Sequence, residues 1–430
     1  MTDFDYREKR RQPIWKIALK IVAAAVLIVT IFAGIYVLYA RHRLNSFIKT
    51  ATEASQETQT YSVATLKTSS FNEIGQLKGK TIGFLSTNPY LEKAEKKLKE
   101  AVDYKAGLAN DIDSMLKNLE SGNDFLAITL ENSYLDALSD ENVLDKDDLK
   151  IIYTFEISLD EEEEETASLD EPFVVYISGS DSRGTLAQTA RSDVNILAVV
   201  NPKASKILLV STPRDYYVQL HNTSGTKDKL THAGVYGINM SKNTMEDLYG
   251  INIDYTMKVG FKAVTGIVDA IDGVEINSDQ EMSLKTEGKN AKTCHYTVGK
   301  QHVDGECALR FARERKSYAS GDRHRGENQQ QVLTAIINKI SSNKGYLLKW
   351  AEILGAVEGY VDISASFEDV AKFAHDAIKH PKNWQIESIS VDGTGSMQPT
   401  YSMGSRPLYV MIPDESTVAA AKAKIAKYLK

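Results

Sequence analysis

Between Ala312 and Gln331 the chain reads ARERKSYASGDRHRGENQQQ, which sets Arg313, Arg315, Arg323 and Arg325, with Lys316 and His324, around Gly321 and Asp322. The chain as a whole is acidic, with 51 Lys and Arg against 58 Asp and Glu and a formal net charge of −7. Scattered surface charge should look mixed, so a cation cluster on a glycine turn looks built to hold an anion. Three earlier places also pair acid with guanidinium: Asp181 with Arg183 in GSDSRG, Arg191 with Asp193 in ARSDVN, and Arg214 with Asp215 in STPRD. Carboxylates hold Mg²⁺ through oxygen, the metal bridges phosphate oxygens, and arginine clamps the remaining oxygens in pairs. A single Asp–Arg pair at a strand end is often a surface salt bridge worth little. Four such places in one region, with turn glycines among them, point instead to a pyrophosphate ester. That ligand has more anionic oxygens than one metal neutralises, which accounts for the surplus arginines.

Such side chains need strands and turns to aim them. PFVVYISGSDSRG reads as an apolar strand ending in a polar turn, and SDVNILAVV and KILLVSTPRD read as two more strands. MEDLYGINIDYTMKVGFKAVTGIVDAIDGVEI alternates helix and strand, and QQQVLTAIINKISS is a helix after the cationic segment. The last stretch adds a strand, an edge hairpin and a closing helix. This is an α/β pattern, and α/β folds place sites at strand ends. Gly321 allows a sharp turn that points Asp322 and Arg325 inward, and Arg325 and Gln329, four apart, share one helix face. Arg313 and Arg315, two apart, fall on one side of an extended chain. Arg323 and His324 read as solvated.

Upstream, IVAAAVLIVTIFAGIYVLYA, Ile21 to Ala40, is twenty residues without a charge, long enough to cross a bilayer. Arg7, Lys9, Arg10, Arg11, Lys16 and Lys20 precede it and Arg41, Arg43 and Lys49 follow. The positive excess keeps the tail cytoplasmic and places the rest outside the cell, in a single-pass membrane protein. The expected organisation is a tail over 1–16, an anchor helix over 17–40 and a polar stalk over 41–74. A small α/β accessory domain over 75–157, an acidic linker over 158–172 and the main domain over 173–430 follow. LKGKTIGFLS opens the accessory domain in the manner of a periplasmic-binding lobe, but the domain gathers no catalytic residue types and reads as a docking or spacer module. SLDEEEEETASLDEP repels itself and buries nothing. The acidic balance argues against nucleic acid as a partner, and the short tail is too small for a helix-turn-helix reader.

The motifs GSDSRG, ARSDVNILAVVNP, LLVSTPRDYYV, KLTHAGVYG, VEINSD and CALRFARERKSYASGDRHRGENQQQVL resemble, in order, those of the LytR-CpsA-Psr family of membrane-anchored cell-wall enzymes. The anchor and small α/β domain resemble the capsule-type branch. The resemblance implies a three-layer α/β/α domain with a mixed central sheet. It implies a phosphotransferase that moves an anionic or capsular glycopolymer from undecaprenyl pyrophosphate to the muramic acid 6-hydroxyl of peptidoglycan. By motif position, Asp181 and Asp193 would hold Mg²⁺, with Mn²⁺ as the alternative ion. Arg214, Arg313, Arg325 and Gln329 would grip the pyrophosphate, with Arg183, Arg191 and Arg315 in support. Lys229 would lie at the mouth of the site, and Asp322 is the candidate for positioning the acceptor or taking its proton. The family's apolar channel for the lipid suggests Val259, Phe261, Val264, Ile267, Val268, Ile271, Val332, Ile336 and Ile337 as lining. Phe311 stands where tyrosine is commoner, and Asn328 where many relatives carry arginine. Rival readings with the same residues are a polyprenyl pyrophosphate hydrolase and a non-catalytic binding or regulatory protein.

Cys294 and Cys307 are the two cysteines. In an exported domain they favour one disulfide. His295 and His302 nearby raise the alternative of zinc, although the spacing lacks the close-set cysteine pair of a finger.

Overall fold

The computed structural model describes residues 38–46, 48–52, 57–159, 168–180, 186, 188–286, 291–318, 321–342, 346, 350–366, 368–370, 372–373 and 382–430. The apolar span read at Ile21–Ala40 lies outside them apart from its last three residues. Among the described residues no helix is long and apolar enough to cross a membrane.

The first sheet is built from β1 (Thr58–Leu66), β2 (Thr81–Leu85), β3 (Lys105–Ala109), β4 (Ala127–Glu131) and β5 (Leu149–Ser158), in the order β3-β2-β4-β1-β5. β2 runs parallel to β3 and β4, while β1 runs antiparallel to β4 and β5. The accessory domain therefore begins at Thr58, inside the stretch read as a stalk. TQTYSVATL is polar at alternate positions, but both of its faces are covered, so Gln59, Ser62 and Thr65 are buried with Tyr61 and Val63. Residues 38–46 and 48–52 are helical, and Leu44, Ile48 and Ala51 are buried. Arg43 and Ser46 both hold Glu358 of the main domain, at 3.3 and 3.0 Å, so this helical piece is docked on that domain and is no polar spacer.

The second sheet has six strands. Its middle is β6 (Phe173–Ser180), β7 (Val194–Asn201) and β8 (Lys206–Ser211), paired antiparallel in that order. Tyr255–Gly260 lies parallel to β6, Val361–Ile363 closes that edge, and Gln385–Ser390 lies parallel to β8 at the other. VNILAVVN has no polar alternation because it is covered on both sides. Val174, Tyr176, Leu197, Val199, Leu208 and Val210 face the helices Ile238–Tyr249 and Glu415–Tyr428. Phe173, Ile196, Ala198 and Leu209 face the helix Asp322–Ser342 through Leu333. The sheet is mixed and sandwiched between helical layers. Each such aliphatic side chain, fully buried, contributes about 1.5–3 kcal/mol.

Two sequence readings are corrected. The helix after the cationic segment starts at Asp322 rather than in the glutamine run. The late hairpin, Gly393–Thr400 with Gly404–Pro413, forms its own two-stranded sheet instead of extending the edge of the large one.

Candidate active site

Topology brings the polar residues together. β7 runs against both β6 and β8, so its beginning lies beside the carboxyl ends of those two strands. Asp193, just before β7, donates its amide to the Gly179 carbonyl at 2.9 Å. Arg214 follows β8 by three residues, and Phe261 follows the end of Tyr255–Gly260. The turn after Lys229 is tied into the same corner, with Ser192 N donating to Thr231 O at 3.1 Å and Thr231 N to Arg214 O at 2.9 Å. Gly234 is required there because a Cβ would stand 2.4 Å from the Ala190 carbonyl oxygen and 2.7 Å from the Ser192 nitrogen.

The corner opens into a cavity of 880 Å³. Arg191, Asp193, Arg214, Lys229, Arg313, Arg315, Arg325 and Gln329 all line it. Asp181 and Arg183 lie outside the described residues, as does the side chain of Asp322. Gly321 takes φ +52° at the start of the helix, as its turn requires. Arg325 and Gln329 do share the cavity face of that helix.

Other details depart from the sequence reading. Arg313 ends the helix Gly305–Arg313, and only at Glu314 does the backbone become extended, so Arg313 and Arg315 reach the cavity from a helix end rather than from one strand. Asp304 caps that helix by accepting from Cys307 N, and the guanidinium of Arg313 sits in its last turn, where the helix dipole favours a cation. It lies 4.9 Å over the Phe261 ring. His324 is not solvated: it stacks on Tyr318 with centroids 3.5 Å apart. Arg323 donates to Asp392 at 2.7 Å. Phe311 is fully buried and its carbonyl accepts from Asn328 at 3.2 Å, so both departures from the family pattern are core features. Val268, Ile271, Val332 and Ile336, suggested as channel lining, are close-packed core side chains. Cys294 and Cys307 form a disulfide, and His295 bonds Ser283.

Arg214 is the hub of the electrostatics. Its Nη1 donates to Asp193 Oδ1 at 2.8 Å, and its Nε lies 3.8 Å from Asp215 Oδ2. Thr231 Oγ1 adds a bond to Asp193 Oδ1 at 3.3 Å, and Arg325 Nη2 reaches the Asp193 carbonyl at 3.5 Å. Burial pushes the Asp193 carboxyl up, but the guanidiniums of Arg214, Arg191 and Arg325 outweigh that and hold it below the usual carboxylate range. The carboxyl is thus set among cations that favour its charged form.

Sequence reasoning missed one wall of the cavity. Glu131, Asn132, Ser133, Asp136, Asp140, Glu141 and Lys146 line it from the accessory domain. β4 ends on Glu131, which caps the helix Asn132–Asp140 by accepting from Ser133 N and Tyr134 N. That helix reaches the corner, where Asp140 pairs with Arg191 and Glu141 with Lys229. Arg191 thus pairs across the domain boundary rather than with its neighbour Asp193. The run ENSYLDALSDEN is acidic, but nothing in it identifies partners dozens of residues away. The domain read as a docking or spacer module also forms a wall of the cavity.

The strand ends of a mixed sheet open on a cavity lined by arginines, lysines and carboxylates. The LytR_cpsA_psr family model matches residues 132–421, and the chain belongs to that family. Its named relatives are transferases. The polyisoprenyl-teichoic acid–peptidoglycan teichoic acid transferase TagU of Enterococcus faecalis is 32% identical over 231 residues, 53% of this chain and 72% of that protein. The TagU of Bacillus mycoides is 31% identical over 271 residues, 62% of this chain and 81% of the relative. The crystal structure of B. subtilis TagV is similar with a TM-score of 0.50 at 25% identity, covering 60% of this chain and 98% of that one.

Proposed function

We propose that this chain transfers an anionic wall glycopolymer from an undecaprenyl pyrophosphate carrier to the 6-hydroxyl of muramic acid in peptidoglycan. The observation that carries the reading is the convergence of Arg191, Arg214, Lys229, Arg313, Arg315, Arg325 and Gln329 with Asp193 on one cavity. Phosphoryl transfer needs positioning and charge neutralisation more than a potent nucleophile, and fixed guanidiniums in a recessed site supply both. The acceptor oxygen attacks the sugar-linked phosphorus, the bond from that phosphorus to the bridging oxygen breaks, and polyprenyl phosphate leaves. A phosphodiester links polymer to wall, and the acceptor proton passes to a base, for which Asp322 is the candidate. Arg214, Arg313 and Arg325, with Gln329, hold the pyrophosphate oxygens.

Asp193 is a suitable oxygen ligand for Mg²⁺, with Asp181 as its expected companion. Among the described residues no group of three or more His, Cys, Asp or Glu could hold a metal. Magnesium needs no such cage, since it binds through one or two carboxylates together with substrate phosphates and water. The ion would supply charge neutralisation at the pyrophosphate.

The two TagU relatives are named as teichoic acid transferases, which supports an anionic polymer, while the accessory domain is the argument for capsule. The apolar N-terminal span supports a single-pass membrane protein with its tail cytoplasmic and the cavity outside the cell. Incubating the purified chain with a lipid-linked polymer, Mg²⁺ and peptidoglycan fragments tests the reading. Polymer joined to the fragments through phosphodiester, lost on chelation, is the expected product. Free polymer phosphate formed equally well without fragments would assign hydrolysis instead.

A further inference from the structure

The accessory domain reaches the catalytic corner through one unbroken chain of alternating charges. Glu141 Oε1, at the end of the helix Asn132–Asp140, lies 2.5 Å from Lys229 Nζ. Lys229 Nζ lies 3.4 Å from Asp215 Oδ1, Asp215 Oδ2 lies 3.8 Å from Arg214 Nε, and Arg214 Nη1 lies 2.8 Å from Asp193 Oδ1. The links are shielded from water, with the Lys229 side chain 4% exposed and that of Asp215 7%. At such sites each charge is held by its neighbours, and deleting one end frees the next. The element carrying Glu141 is itself fixed to the main domain. Tyr134 donates to the Ser402 carbonyl, and Thr189 Oγ1 donates to Glu131 at 3.1 Å. Gln59 Nε2 donates to the Val235 carbonyl at 2.9 Å, and Tyr401 OH to the Thr87 carbonyl at 2.9 Å.

We propose that Glu141 is a positioning residue for the transfer reaction: through Lys229 and Asp215 it fixes the orientation of Arg214 against Asp193, so that the accessory domain completes the transferase site. The inference rests on the transferase reading above. Lys229 is held in one direction between two carboxylates, and Asp215 braces the guanidinium edge that Asp193 leaves. With Glu141 gone, Lys229 falls back on Asp215 alone, and Arg214 loses the far side of its clamp.

The test is a double-mutant cycle in the full-length chain. A polyprenyl pyrophosphate-linked glycan serves as donor and peptidoglycan fragments as acceptor, with thermal unfolding recorded for every variant. Glu141→Gln should lower kcat about tenfold with KM for the donor nearly unchanged, as small misplacements of a catalytic clamp do. Glu141→Asp should recover most of the loss, and Glu141→Gln should cost nothing further in a Lys229→Met background. A Glu141→Gln enzyme that melts earlier but turns over at the wild-type rate would make Glu141 a structural brace and overturn the proposal. Losses that multiply in the double variant would overturn it as well. A wild-type chain that transfers nothing removes the transferase reading, and this inference with it.

Discussion

Arg214 Nη1 and Asp193 Oδ1 stand 2.8 Å apart with side chains only 15% and 17% exposed. The pair places an arginine fork beside the carboxylate expected to meet a metal. Lysine would keep the charge but not the fork. Arg214→Lys should therefore lower transfer at least about tenfold, and Arg214→Ala about a hundredfold. The alanine variant also leaves a recessed carboxylate without its nearest partner and should lose roughly 2–4 kcal/mol of stability. Steady-state transfer and thermal unfolding measure the two effects separately.

Glu131 should make stability depend on pH. Burial pushes its carboxyl up to about 7 from 4.5, against the opposing hydrogen bonds from Ser133, Tyr134 and Thr189. Between those values the folded chain keeps a proton that the unfolded chain has released. This group's contribution thus falls as pH rises through the window and is level above it. The wild type should lose about 2–3 kcal/mol more than Glu131→Gln on going from about pH 5 to about pH 8. Denaturant unfolding at the two pH values decides it, and parallel profiles would refute it.

Gly234→Ala tests the close approach that holds Lys229 beside Arg191. The new methyl meets backbone atoms of Ala190 and Ser192 rather than a flexible side chain. Separating the two segments should cost about 1–3 kcal/mol and lower transfer together with stability. Gly321→Ala is the contrast: nothing lies within 4 Å of the added carbon, and the strain is in φ alone. Its cost should be about 1 kcal/mol, read from the shift in melting temperature.

The Cys294–Cys307 bond ties the strand Thr293–Tyr296 to the helix that ends at Arg313, across a sequence separation of 13. A closed loop of that size is worth about 3 kcal/mol through the unfolded chain. Replacing both cysteines by serine should lower the melting temperature by that equivalent, while transfer below the transition changes less than in Arg313→Ala. Unfolding with and without reductant makes the same comparison in the wild type.

Much of the cavity's lining was legible because its residues sit in short motifs at strand ends. Asp193, Arg214 and Lys229 each close or open an apolar run, and Gly321 announces its turn. What was not legible follows from distance along the chain. Thr58–Leu66 is polar at alternate positions and reads as spacer, yet it becomes an inner strand because β4 and β5 arrive on both sides. Glu141 has no local reason to choose Lys229, since the choice is made by the packing of the accessory domain on the main one. His324 reads as solvated because stacking on Tyr318 needs the turn between them to fold first.

The helical segment that bears Leu44, Ile48 and Ala51 is locked to the catalytic domain through Arg43, Ser46 and Glu358. A flexible tether would let the cavity wander through a broad shell above a bilayer. A docked helix works as a mast instead. In the anchored arrangement proposed above, the arginines are carried at one altitude, and a carrier lipid must present its pyrophosphate there. Reach would be set by carpentry, and insertion of a few residues next to residue 40 should detune the enzyme by moving its deck.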